Sequence, residues 1–285
     1  MRKYLLSTSA LAGAALLSTA AIADVSISGS VEWELISGDT DFATTDGTSM
    51  ATNNEVMIDF TNKTDSGLTI TYNMDIDGDN GAGIDDNSMS IEGGFGKIVV
   101  GQTDGVSDVY TVHGAGLVAE EHGMSITSGV SNVDPQNTIM QSTGAQLTGN
   151  TNKISYYLPA MGNLVAGLSY QDSGAATSTD LTEFGAQYTM DTGAGAVTLA
   201  YTTATQEAAT TDSDSTTVGV QIVTNGVTII ANQATLETAG EDQTGNSIGA
   251  SYTLPNGITL AASTMKAEDD IAAEVGEEYT ANHYE

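Results

Sequence analysis

Cysteine is absent from the 285 residues, and only 3 are proline. Without thiols there is no disulfide framework, no thiolate metal site, no cysteine nucleophile and no lipidated cysteine. Positive charge is nearly as scarce: 6 Lys and Arg stand against 37 Asp and Glu, a formal net charge of −31. A polyanion cannot neutralise phosphates, so nucleic acid is excluded as a partner. Adhesion to anionic lipid through a polybasic patch is excluded for the same reason. Long apolar runs are missing too. After the N-terminus every such run is interrupted within a few residues, whereas a membrane-spanning helix needs about 20. Disorder, the usual companion of strong acidity, does not suit a chain that is 40% hydrophobic.

The first segment reads as an address. Arg2 and Lys3 precede an apolar run from Tyr4 to Leu17, interrupted at Ser7, Thr8 and Ser9. Ser18 and Thr19 then lead to the small-residue box Ala21-Ile22-Ala23 before Asp24. Basic start, apolar middle and A-x-A box are the three parts of a cleaved secretory signal peptide, expected over residues 1–23. Its removal leaves residues 24–285 as the mature domain, 262 residues long. Losing two cations deepens the charge to −33, with Lys63, Lys97, Lys153 and Lys266 as the remaining lysines and no arginine. Such a product is exported, and either stays soluble or crosses a membrane as strands.

Period-2 alternation favours strands. Val25, Ile27, Val31, Trp33 and Leu35 alternate with polar residues, as do Leu68, Ile70, Tyr72, Met74 and Ile76. The same holds for Leu164 to Tyr170, Ile248 to Leu254 and Ile258 to Ala262. Each run is about ten residues, the length of a tilted transmembrane strand. No convincing 3.6-residue stripe appears, so helices are few. Connections alternate as well. Short turns fall at Asn62–Gly67, Gly93–Gly96, Pro159–Asn163, Asp191–Gly195, Thr224–Gly226 and Pro255–Gly257. Between them lie longer acidic stretches: Gly38–Asn53, Asp77–Asn87, Asp104–Asn150, Asp172–Asp180, Thr205–Ser215, Glu237–Gly245 and Ala267–Gly276. In a meander every second connection lies at the same end, so short turns gather at one rim and long loops at the other. Outer-membrane barrels show this asymmetry. Phe60, Tyr156, Tyr157, Tyr188 and Tyr252 lie near short turns, and Tyr170 and Tyr201 near long loops, as two interfacial belts would require. The opposite strand face carries Thr, Ser, Asn, Gln and Gly, which suits a wet lumen rather than a dry core.

At Gly94-Phe95-Gly96-Lys97-Ile98-Val99-Val100-Gly101-Gln102-Thr103-Asp104 the chain resembles the general bacterial porins. There a Gly-Phe-Gly turn leads into a strand ending Gly-Arg and then into a long third loop that folds inward and narrows the pore. Asn152-Lys153-Ile154-Ser155-Tyr156-Tyr157-Leu158-Pro159 is similar to the strand after that loop, and Gly162, Gly167, Ser169 and Tyr170 continue the pattern. Leu254-Pro255-Asn256-Gly257 resembles a late periplasmic turn. The resemblance runs from Asp24 to the end. It implies an antiparallel up-and-down transmembrane β-barrel of the sixteen-stranded porin type, a homotrimer in the outer membrane of a Gram-negative cell, and passive passage of ions and small hydrophilic solutes.

Two departures bear on function. The family's Arg after the strand Gly is Gln102 here, and a second Arg common before the post-loop Asn is replaced by Gly149. The basic half of a porin constriction is therefore missing. The acidic half stays in the third loop, at Asp104, Asp108, Glu120, Glu121 and Asp134, which the resemblance makes candidate constriction residues of a cation-preferring pore. The chain also stops at Tyr284-Glu285, within a fourteenth strand of the expected sixteen. That suggests a C-terminal truncation or a smaller barrel, since an open sheet edge in lipid strands unpaired backbone groups.

Other patterns carry less. Asp75-Ile76-Asp77-Gly78-Asp79-Asn80-Gly81, followed by Asp85 and Asp86, resembles the start of a calcium loop. Its sixth position is Asn80 rather than Gly and its twelfth is Asp86 rather than Glu, so an acidic external loop is the better reading. His113, Glu120, Glu121 and His122 have metal-compatible chemistry without a metal-ligand spacing. No H-E-x-x-H or phosphate loop occurs. Neither an enzyme nor a cofactor is expected. The alternative is a secreted acidic β-rich protein with a structural or adhesive role at the cell surface.

Overall fold

A computed structural model describes residues 24–38, 47–77, 83–114, 151–172, 180–207, 212–238, 241–269 and 277–284. They form strands β1 (Asp24–Gly38), β2 (Gly47–Lys63), β3 (Thr69–Asp77), β4 (Gly83–Gly93), β5 (Gly96–Thr103), β6 (Thr151–Tyr157) and β7 (Leu164–Gln171). There follow β8 (Asp180–Asp191), β9 (Ala196–Glu207), β10 (Ser213–Thr224), β11 (Val227–Thr238), β12 (Glu241–Thr253), β13 (Thr259–Asp269) and β14 (Glu277–Tyr284). A short helix, α1 (Val106–Tyr110), follows β5. All fourteen strands join one sheet in sequence order, each antiparallel to the next, which is the up-and-down barrel meander. The predicted signal segment lies outside the described residues.

Each of the six expected short turns joins two strands. One of the two tightest is Asn225-Gly226, two residues between Thr224 and Val227. Both residues have positive φ, 47° and 80°. A two-residue hairpin needs this left-handed geometry to match strand twist, and Asn-Gly adopts it most cheaply. The long connections are shorter than their polarity suggests. β2 starts at Gly47 inside the expected stretch Gly38–Asn53, and β11 and β12 leave only residues 239–240 between them. Ladder hydrogen bonds need no apolar side chains, so hairpins continue past the alternating segments. Polar pairs support these extensions: Thr205 Oγ1 donates to Asp214 Oδ1 at 2.6 Å, and Thr238 Oγ1 to Ser213 Oγ at 2.9 Å.

Register sorts the side chains onto two faces, because directly opposed residues share one. On one face Thr61 opposes Thr71, Ser90 opposes Val99, Ser155 opposes Ser169, and Glu183 opposes Ala204. Many of these are buried, including Ser155, Ser169, Glu183 and Thr202, together with Ser215, Thr217 and Ser247. On the other face Phe60 opposes Tyr72, Val100 opposes Ile154, and Tyr201 opposes Val218. This second face is apolar and open, with Ile27 at 71%, Leu260 at 55% and Val218 at 53% exposure. A water-soluble protein would bury it; here it is the lipid-facing surface of the barrel.

The aromatic expectation holds for most rings. Phe60, Tyr170, Tyr188, Tyr201 and Tyr252 are exposed on the outer face. Tyr157 does not belong to a belt. It is opposite Lys97 and Gly167 on the inner face and packs against Tyr110, with ring centroids 6.0 Å apart. Tyr156 and Tyr157 are adjacent, and alternation sends only Tyr156 outward. A charge at the mid-strand outer position tests the assignment of faces. Val218→Arg should lower folding stability in lipid vesicles by about 2–4 kcal/mol. Gln221→Lys, on the inner face of the same strand, should cost clearly less in the same urea titration.

Candidate functional site: a strap across the lumen

The connection from β5 to β6 is the longest in the chain, and its described part, Asp104–Gly114, runs along the inner face. Gly105 is extended (φ −82°, ψ 166°) and leads into α1, whose five residues make a single turn. Five residues are too few to show a helical period, so the sequence carries no sign of α1. Val106, Ser107 and Tyr110 are buried, which places the turn against the wall.

Hydrogen bonds tie this strap to five strands of the wall, β7, β8, β9, β11 and β12. The Val106 N–H donates to Ser169 Oγ at 2.7 Å. The Ser107 hydroxyl donates to Glu183 Oε1. Gln187 Nε2 donates to the Tyr110 carbonyl at 2.9 Å, and the Thr111 and Thr202 hydroxyls meet at 2.9 Å. The Gly114 N–H donates to Ser247 Oγ at 2.8 Å and to Asn232 Oδ1 at 3.3 Å. An irregular segment inside a barrel has to find partners for its backbone groups in this way.

Two of the five candidate constriction acids lie within the described strap. Asp104 stands at its start, half-buried, and Asp108 is in the first turn of α1, also half-buried. Glu120, Glu121 and Asp134 lie outside the described residues. The most deeply buried acid among the described residues is not one of the candidates. Glu183, on β8, is 2% exposed, with Oε1 on Ser107 and Oε2 lacking a hydrogen-bond partner among the described residues. A signal for it does exist in sequence. It is the one charged residue in the inward series Leu181, Glu183, Gly185, Gln187.

Facing the strap, β2 to β6 enclose a cavity of about 850 Å³ lined by Asp59, Asn73, Glu92, Lys97, Tyr110 and Tyr157, among others. Asn73 Nδ2 donates to Asp59 Oδ1 at 3.0 Å. Lys97 Nζ lies 5.8 Å from the Tyr157 ring centroid, within reach of a cation–π contact. Register puts Glu55, Asp59, Asp75, Asp77 and Glu92 on this inner face, along with Lys63, Lys97 and Lys153. Three lysines therefore share this face with the five acids. Burial holds the Tyr110 phenol above its usual value and the His113 imidazole below its own. Among the described residues no three His, Asp or Glu side chains gather as a metal site would.

A strand-only membrane wall with a loop folded into its bore defines a class: the β-barrel channels. The chain belongs within that class to the Gram-negative porins, whose family model matches residues 7–284. Solved structures agree on the fold. A loop-deletion form of OmpT, an outer membrane protein of Vibrio cholerae, is 13% identical with a TM-score of 0.52, covering 93% of this chain and 100% of that one. A triple mutant of the Rh. blastica porin is 16% identical with a TM-score of 0.53, covering 92% and 98%. No curated protein matches the sequence. The protein is thus an outer-membrane porin channel, and the soluble surface-protein alternative falls away.

The docked strap yields two expectations. Ser107→Ala removes the hydroxyl from a buried carboxylate and should weaken docking by about 1–3 kcal/mol, read as faster proteolysis of the strap in the folded protein. Burial favours neutral His113, so its contribution to docking is complete above its ordinary value of 6.5 and fades as pH falls below it. Strap proteolysis should accelerate between pH 7.5 and 5, and His113→Gln should flatten that part of the response.

Proposed function

We propose that this porin is a passive, water-filled channel for ions and small hydrophilic solutes, with a preference for cations. The supporting observation is the charge of the inner face. Glu55, Asp59, Asp75, Asp77, Glu92 and Glu183 share it with the strap acids Asp104 and Asp108, against Lys63, Lys97 and Lys153. Low-dielectric walls focus this field into the bore and raise the local concentration of cations relative to anions. The strap narrows the bore on one side, so size is selected sterically and sign electrostatically. No bond is made or broken, and no cofactor is needed.

The mature protein begins at Asp24 after removal of residues 1–23, and it assembles as a homotrimer with part of the apolar outer face buried between subunits. The family resemblance supports the trimer, and the three-part N-terminal pattern supports the cleavage.

The test is the reversal potential of single channels in a planar bilayer under a salt gradient. Its sign should indicate cation preference. Asp59→Asn with Glu92→Gln should reduce the cation-to-anion ratio severalfold at most, since a unit charge acting through water at 4 Å is worth about 1 kcal/mol. Anion preference in the parent channel would overturn the reading.

A further inference from the structure

The inner wall beneath the strap is shaped as well as polar. Gly185 on β8, Gly219 on β10 and Gly249 on β12 all face the lumen and are buried. The strap lies where their side chains would be. A Cβ on Gly185 would stand 2.5 Å from the Val106 carbonyl oxygen and 2.7 Å from the Tyr110 ring. On Gly219 it would stand 2.5 Å from the Val112 carbonyl oxygen and from a Val112 methyl, and on Gly249 it would overlap the Gly114 carbonyl. None of the three has a left-handed φ, so alanine is acceptable to each strand. The conflict is with the strap alone.

The hydrogen-bonding groups follow the same line. Ser169 on β7 and Thr202 on β9 alternate with the glycines of β8 and β10, Ser247 shares β12 with Gly249, and each reaches the strap with its hydroxyl. Asn232 on β11 accepts from both Gly114 and Ser247. Missing side chains and paired hydroxyls are independent features, and together they run over β7 to β12.

We propose that this track of glycines and hydroxyls on β7–β12 sets how deeply the strap is seated, and through it the cross-section left for solutes. These are positioning residues: they touch the strap, and act on solutes only through it. The carbonyl oxygens of Val106, Val112 and Gly114 approach the wall more closely than any real Cβ allows. A single methyl on the track must therefore push the strap toward the pore axis, because a close-packed contact has no slack to absorb it. Wall and strap need not change in overall polarity for the bore to narrow.

The test rests on the channel reading and separates from it. A parent protein that carries no current counts against the channel; variants that conduct like a conducting parent count against the track. Gly219→Ala, Gly249→Ala and the pair together would be recorded as single channels in planar bilayers. Gly83→Ala, whose Cβ would meet nothing within 4 Å, serves as control. Each track variant should conduct less than the parent and the pair less again, with the exclusion limit for neutral polyethylene glycols moving to smaller chains. The control should match the parent. Ser247→Ala and Thr202→Ala remove hydroxyls without adding bulk, so they should raise open-channel current noise while leaving mean conductance near the parent value. If the glycine variants fold and conduct like the parent, the proposal is overturned. If they fail to fold, unchanged noise in both hydroxyl variants overturns it.

Discussion

Hydrocarbon offers a backbone no hydrogen bonds, and the neighbour-to-neighbour antiparallel ladder is what everything else in this protein depends on. β1 to β14 pair in sequence order without a crossover. Meander pairing lets each new strand meet its partner through a short connection, as at Asn225-Gly226. Once the ladder is in place, direct opposition of residues commits every strand to one apolar and one polar face. A one-residue slip between β9 and β10 would carry Val218 into the lumen and Thr217 into lipid, so the register is held by both environments at once.

The strap is the exception to the ladder, and it shows the same constraint operating inside the bore. Asp104–Gly114 has left the sheet, yet its Val106 and Gly114 N–H groups and its Tyr110 carbonyl are paired, now with wall side chains. Inward-facing Ser, Thr and Asn serve water in most of the lumen and serve the strap along one line. Glycine supplies what hydroxyls cannot, which is room for a carbonyl oxygen to lie against a strand. Glu183 stands at the head of this line, its carboxylate covered by Gly105 and Ser107, and so links the fold of the strap to the electrostatics of the pore. The acidic inner face and the lysines at 63, 97 and 153 then act on solutes in whatever space the strap leaves.

Most of the barrel is legible in the linear pattern. All six short turns fall where Gly, Pro, Asn and Asp cluster, because left-handed and tightly bent backbone demands those residues locally. The outward rings at 60, 170, 188, 201 and 252 follow from alternation. Where the pattern misleads, the cause is local too. Polarity does not end a strand: Thr205–Asp214 and Thr238–Ser213 pairs prolong the ladder outside the apolar band, so the loops are shorter than the polar stretches. Tyr156 and Tyr157 lie near the same short turn, but adjacent strand residues point to opposite faces, and only Tyr156 turns outward.

Period and turn chemistry are local, and so the amino-acid order alone was enough to establish strand class, meander topology, export and the excess of acid. The seating of the strap is of another kind. It joins residues 63 to 133 positions apart, from Val106–Ser169 to Gly114–Ser247. Contacts of that range leave no periodic trace, and a glycine that opens a groove reads in sequence like any other small inward residue. Only the curled sheet brings Gly185, Gly219 and Gly249 under one segment and turns three unremarkable positions into a seat.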